Sequence, residues 1–107
     1  DRTKRPIMGE IGGRLAGYCI ITSDNPRTED PEKILEDVEV GVKKTDCPYE
    51  KIVDRREAIQ KAVAMAEAGD VILIAGKGHE TYQIFPDKTI HFDDIEEVRK
   101  AFGEDCL

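Results

Sequence analysis

Two short segments of this sequence hold the residues best suited to chemistry: Asp24-Asn25-Pro26-Arg27 and Gly76-Lys77-Gly78-His79-Glu80. In the first, Asn25 offers both a donor and an acceptor. Arg27 offers a planar fork matched to a carboxylate or a phosphate. Pro26 fixes its own φ and pushes Asn25 towards extended backbone, so the flanking side chains, Asp24 included, are aimed. Together Asn25 and Arg27 could grip an amino-acid head group. On local chemistry alone an Asx-type turn with a solvated arginine fits better.

In the second segment, Gly76 and Gly78 let the backbone approach a ligand. This is not a phosphate loop, because G-x-x-x-x-G-K-[ST] is absent and His79 stands where Ser or Thr is needed. G-x-G-x-x-G is not completed, and His79-Glu80-Thr81-Tyr82-Gln83 is not the zinc motif H-E-x-x-H. Glu80, just past an apolar run, could take a substrate ammonium, or it could be a helix cap or a surface charge. His79 by itself reads as a structural hydrogen-bonder. Lys77 reads as a phosphate contact or a solvated cation, and His91 is given no role. No metal is expected, since the two histidines and three cysteines show no ligand spacing.

The elements that must position these segments follow from periodicity. Pro6 suits the start of a helix in which Ile7, Met8, Ile11 and Leu15 recur at helical spacing. Gly9, Gly12 and Gly13 weaken that helix but permit close backbone approach. Tyr18–Thr22 reads as a strand buried on both faces. Asp30 caps a second helix, started by Pro31 and carrying Ile34, Leu35, Val38 and Val42 on one stripe. Lys51–Val53 is a brief strand candidate. Asp54 with Glu57 resembles a capping box opening a third helix with Ala58, Ile59, Ala62, Val63 and Ala66 on one face and Gly69 at its close. Val71–Ala75 is the clearest buried strand. Two strand-like runs flank Pro86-Asp87, a hairpin signal. Asp93 or Asp94 caps a last helix with Ile95, Val98 and Phe102 on its face, ended by Gly103.

Strands alternating with helices predict one α/β domain, a mostly parallel sheet with helices on both faces and a C-terminal hairpin. Ligands of such sheets bind outside the carboxyl ends of the strands. Both chemical segments leave such ends, so they share one crevice if their strands lie close.

The chain has 107 residues, enough for one core, and a net charge of -7. An acidic surface repels phosphate backbones, so no nucleic-acid partner is expected. No apolar run nears the ~20 residues of a membrane span, and no signal peptide is recognisable, so no membrane association is expected. Cys19, Cys47 and Cys106, odd in number and widely spaced, read as free thiols in a reducing compartment. The chain opens on Asp1, which reads as a piece of a longer protein.

Lys4–Ile11, then Thr22–Pro31, then Ile74–Ile84, then Phe92-Asp93-Asp94 occur in an order that resembles the C-terminal domain of the Mur ligases. Within that family the chain is most similar to the ligase that adds the third residue of the peptidoglycan stem peptide. The resemblance covers nearly the whole chain and implies a Rossmann-like fold truncated at its N-terminus, its first strand and helix lying before Asp1. It implies a cytoplasmic enzyme in which ATP, with Mg2+, phosphorylates the γ-carboxylate of UDP-N-acetylmuramoyl-L-Ala-D-Glu, and an incoming diamino acid attacks the acyl phosphate. ATP and Mg2+ would be bound mainly by the remaining domains, so no catalytic residue is expected here and this piece alone is expected to be inactive. The D-N-P-R motif implies meso-diaminopimelate, with Asn25, Arg27, the Gly76 carbonyl and Glu80 at its distal end. Physics agrees: the second carboxylate of that metabolite, absent from lysine, pairs with a guanidinium fork. A ligase for lysine, or a stand-alone non-catalytic anion-binding module, are the alternatives.

Overall fold

The computed structural model describes residues 2–25, 28–75, 80–85 and 87–103. Helix α1 (Arg5–Leu15) follows a 3-10 turn and leads to strand β1 (Cys19–Ile21). Helix α2 (Pro31–Val42), strand β2 (Tyr49–Lys51) and helix α3 (Arg55–Met65) come next, then strands β3 (Tyr82–Ile84) and β4 (Thr89–His91) and helix α4 (Asp94–Phe102). β1 and β2 pair in parallel, Cys19 opposite Tyr49, across the α2 crossover. β3 and β4 pair antiparallel, Tyr82 opposite His91. The architecture is α/β with helices and two small sheets.

Three helix starts follow the capping signals. The Asp30 carboxylate accepts from the Glu32 N–H, that of Asp54 from the Arg56 and Glu57 N–H groups, and that of Asp93 from the Ile95 N–H. Each such cap contributes about 1 kcal/mol. Gly103, at φ 87°, stops α4. Gly69, at φ 95°, lies beyond the α3 end at Met65, in the turn that follows. The α2 stripe supplies the core: Leu35 and Val42 are buried with Ile21, and Val38 and Tyr49 pack against them. Burying a side chain such as Leu35 contributes about 1.5–3 kcal/mol.

Three expectations are corrected. On α1 the apolar stripe faces outward, with Ile7, Met8, Ile11 and Leu15 all exposed, while Gly9 and Gly13 are buried. The cause is contact between the α1 and α2 backbones. A Cβ on Gly9 would lie 2.0 Å from the Val38 carbonyl oxygen, and one on Gly41 would lie 1.8 Å from that of Pro6. Only glycine permits this approach, so the glycine face packs and the bulkier face is left outside.

Val71–Ala75, expected as the clearest buried strand, belongs to no ladder in the structure, and Val71 and Leu73 are 93% and 87% exposed. Its burial still alternates, Ile72 and Ile74 being half-buried, which is the period of a strand. A strand needs a neighbour for its backbone groups, and the described residues supply none here. On α4, Ile95 and Phe102 are exposed and the buried residue is Glu97, which pairs with Arg56.

Candidate functional site

β1 and β2, being parallel, end together. Beyond β2, the Ile52 N–H donates to the Ile21 carbonyl at 2.9 Å, and the Ser23 hydroxyl donates to the Val53 carbonyl at 2.8 Å. Ser23 is buried, so the exit of β1 is fixed against the start of α3. The chain then reaches Asp24 and Asn25, both half-buried.

Asn25 joins the two segments. Its Nδ2 donates to Glu80 Oε1 at 3.2 Å, and its Oδ1 accepts from the Ile84 N–H at 3.0 Å. Residues 55 and 59 positions apart in sequence are thus held by one amide. Both of its polar ends are engaged, and a hydrogen bond to a charged acceptor contributes about 1.5–3 kcal/mol. Of the predicted site residues, Asn25 and Glu80 are therefore brought together, with Asp24 adjacent. Pro26, Arg27, Gly76, Lys77 and His79 lie outside the described residues.

The far side of the first segment is held by Arg5, from the Lys4-Arg5-Pro6 stretch. Its guanidinium donates to both Glu29 oxygens, at 3.0 and 2.9 Å, and to Asp37 of α2 at 3.1 Å. The hydrogen bond to Glu29, then that to Asp37, holds its pKa above the ordinary arginine value against the opposing effect of burial. Asp30, one residue on, caps α2. The segment is thus pinned at Ser23 and Asn25 on one side and at Glu29 and Asp30 on the other.

Arg55 is a residue that sequence reasoning missed. It is 3% exposed. Its Nε and Nη2 donate to the two oxygens of Asp94 at 2.8 and 2.7 Å, its Nη1 to the Ser23 carbonyl at 3.3 Å and its Nη2 to the Ala75 carbonyl at 3.3 Å. The available signal was its position. A cation in the first turn of a helix opposes the dipole, so it needs a specific partner elsewhere.

An open groove of about 790 Å³ lies beside these residues, between the start of α3 and the β3–β4 pair, lined by Ser23, Val53, Arg55, Gln83, Phe85 and Phe92 among others. Neither Asn25 nor Glu80 lines it. Among the described residues no group of three or more His, Cys, Asp or Glu side chains is placed to hold a metal ion, and no helix is long and apolar enough to cross a membrane. What the described residues present is a carboxylate, Glu80, fixed by the amide of Asn25 beside it.

The family described as "Mur ligase, glutamate ligase domain" matches residues 1–78. The UDP-N-acetylmuramoyl-L-alanyl-D-glutamate--2,6-diaminopimelate ligase of Caldanaerobacter subterraneus subsp. tengcongensis is 56% identical over 104 residues, covering 97% of this chain and 22% of that protein. The first such ligase of Clostridium acetobutylicum is 57% identical, covering 97% of this chain and 21% of its own length. A solved structure of a ligase of the same name superposes with a TM-score of 0.89 at 46% identity, over all of this chain and 22% of that one. The chain spans about a fifth of the length of the curated relatives it matches.

Proposed function

The chain belongs to the Mur ligases, and on that premise we propose that it is the C-terminal, amino-acid-presenting domain of the enzyme that adds meso-diaminopimelate to UDP-N-acetylmuramoyl-L-Ala-D-Glu in peptidoglycan synthesis. The single observation that carries this reading is the Asn25–Glu80 hydrogen bond, which joins the two segments whose residue types suit a zwitterionic ligand. ATP, with Mg2+, supplies the activated acyl phosphate in that reaction and is held mainly by the remaining domains of the same protein, in the cytoplasm.

The part of this chain is to bind and orient. Glu80 takes the distal ammonium together with the Gly76 carbonyl. Asn25 keeps the Glu80 carboxylate aimed and the Arg27 fork pairs with the distal carboxylate, with Asp24, Pro26, Lys77 and His79 in support. The other end of the diamino acid is then free to present its amine to the acyl carbon. Lysine leaves Arg27 without its partner, and an unpaired polar group in a site built for hydrogen bonding is a strong basis for rejection.

In the full-length protein β1 and residues 71–75 join through a strand contributed from outside this chain. That completes a mostly parallel Rossmann-like sheet with helices on both faces. The exposed Val71 and Leu73, and the outward stripe of α1, are the apolar surfaces this reading leaves to be covered.

The test is the full-length ligase with Arg27→Ala. Loss of a bidentate charged pair costs about 2–3 kcal/mol. The apparent KM for meso-diaminopimelate should rise about 30- to 150-fold at that cost while the KM for ATP stays put. A wild-type enzyme that prefers lysine, or a variant with unchanged KM, would reject the reading.

A further inference from the structure

We propose that Arg55, held by Asp94, is a positioning residue for amino-acid recognition: one buried guanidinium ties Ser23 to Ala75 and so sets the spacing between Asn25 and Glu80. The inference rests on the reading above for its substrate, and on geometry for its structure.

Four hydrogen bonds leave this guanidinium. Two go to Asp94 in the parallel fork that fixes the plane of the group. The other two reach backbone carbonyls that no ladder joins: Ser23, two residues before Asn25, and Ala75, five residues before Glu80. Nη1 and Nη2 are rigidly linked, so the two carbonyls cannot move apart without breaking a bond to a charged donor. Val71–Ala75 forms no ladder among the described residues, and Arg55 is a polar tether between this segment and the end of β1.

The arrangement also gives a role to Phe92-Asp93-Asp94, whose two carboxylates divide the work. Asp93 caps α4, and Asp94 orients Arg55. Phe92 is buried beside them. A lysine at position 55 could meet Asp94 but could not span both carbonyls, because its ammonium is a point donor without a planar fork.

The consequence is functional because the Asn25–Glu80 contact is a single 3.2 Å bond between loops. A shift of about 1 Å in a positioning group can cost about 100-fold in rate. Arg55 touches no substrate in this reading; it acts through the backbone of the two segments.

The experiment uses the full-length ligase. In the double variant Arg55→Met/Asp94→Leu the buried pair is removed together, a change often neutral for stability. The melting temperature should stay near wild type, and the KM for meso-diaminopimelate should rise about ten-fold or more with little change in the KM for ATP. Hydrogen exchange at Ile84, whose N–H is held by Asn25, should quicken whatever the substrate. Arg55→Lys, which keeps the charge, should show the same rise in KM and serves if the double variant does not fold. Wild-type KM and wild-type exchange in a folded variant overturn the proposal. So does a parallel rise in KM for every substrate with a fallen melting temperature, which marks a structural role only. A wild-type enzyme that ignores meso-diaminopimelate defeats the substrate reading alone, and the exchange measurement still decides the tether.

Discussion

Asn25→Asp changes one atom of the amide that joins the two segments. The acceptor for the Ile84 N–H is kept, and the donor to Glu80 is replaced by an anionic oxygen at about the same place. The lost bond, at 3.2 Å to a carboxylate, is of the class that contributes about 1.5–3 kcal/mol. Two anionic oxygens at that separation repel by about 1–5 kcal/mol for effective dielectrics between 80 and 20. The half-buried setting of both residues allows some relaxation, as Glu80 swings away. Even about 2 kcal/mol of net loss gives about a 30-fold rise in the KM for meso-diaminopimelate. Steady-state kinetics of the full-length variant, with each substrate varied in turn, measure this. Asn25→Ala, which loses both bonds without adding charge, should show a smaller rise in the same KM. An unchanged or lowered KM in Asn25→Asp, or an equal rise for all substrates, would refute the reasoning.

Further outcomes are expected at other positions. Gly41→Ala should destabilise the protein by about 1–3 kcal/mol, since its Cβ would meet the Pro6 carbonyl and the Glu10 backbone nitrogen. Gly12→Ala, whose nearest neighbour is Cys19 Sγ at 4.0 Å, should gain about 1 kcal/mol of helix propensity; urea unfolding of the two variants compares them. The Cys19 and Cys47 sulfurs lie 3.7 Å apart. Treatment with a diazene oxidant should therefore link them, read as a cross-linked peptide pair that Cys47→Ser abolishes. Burial, then the Cys47 hydrogen bond, pushes the Cys19 thiol up to about 11. It should accordingly alkylate slowly at pH 7, where the proton is retained, and faster as the pH rises towards that value.

The parts of the fold that could be read from the sequence are those fixed within a few residues. Asp30, Asp54 and Asp93 cap helices because a carboxylate two or three residues from an orphan N–H has little else to do. Asn25 and Glu80 were legible as chemistry, and one hydrogen bond brings them together although residues 71–75 form no strand among the described residues. What the residues alone could not reveal depends on contacts distant in sequence. The stripe Ile7-Met8-Ile11-Leu15 has a perfect helical period, yet the glycines on the opposite face decide which side of α1 touches α2. Periodicity ranks faces by apolar content, whereas close packing ranks them by how near two backbones can come.

Arg55 shows the same limit from the polar side. Its neighbours in sequence, Asp54 and Glu57, explain a helix start and nothing more, while its partners sit 20, 32 and 39 positions away. A charge placed where the helix dipole disfavours it is the local trace of a distant requirement. Val71 and Leu73 are the apolar counterpart: side chains with the alternation of a strand, bare on one face among the described residues. Both features mark a segment that must be held by something distant in sequence, and Arg55 does for the Ala75 carbonyl what a ladder does for β1.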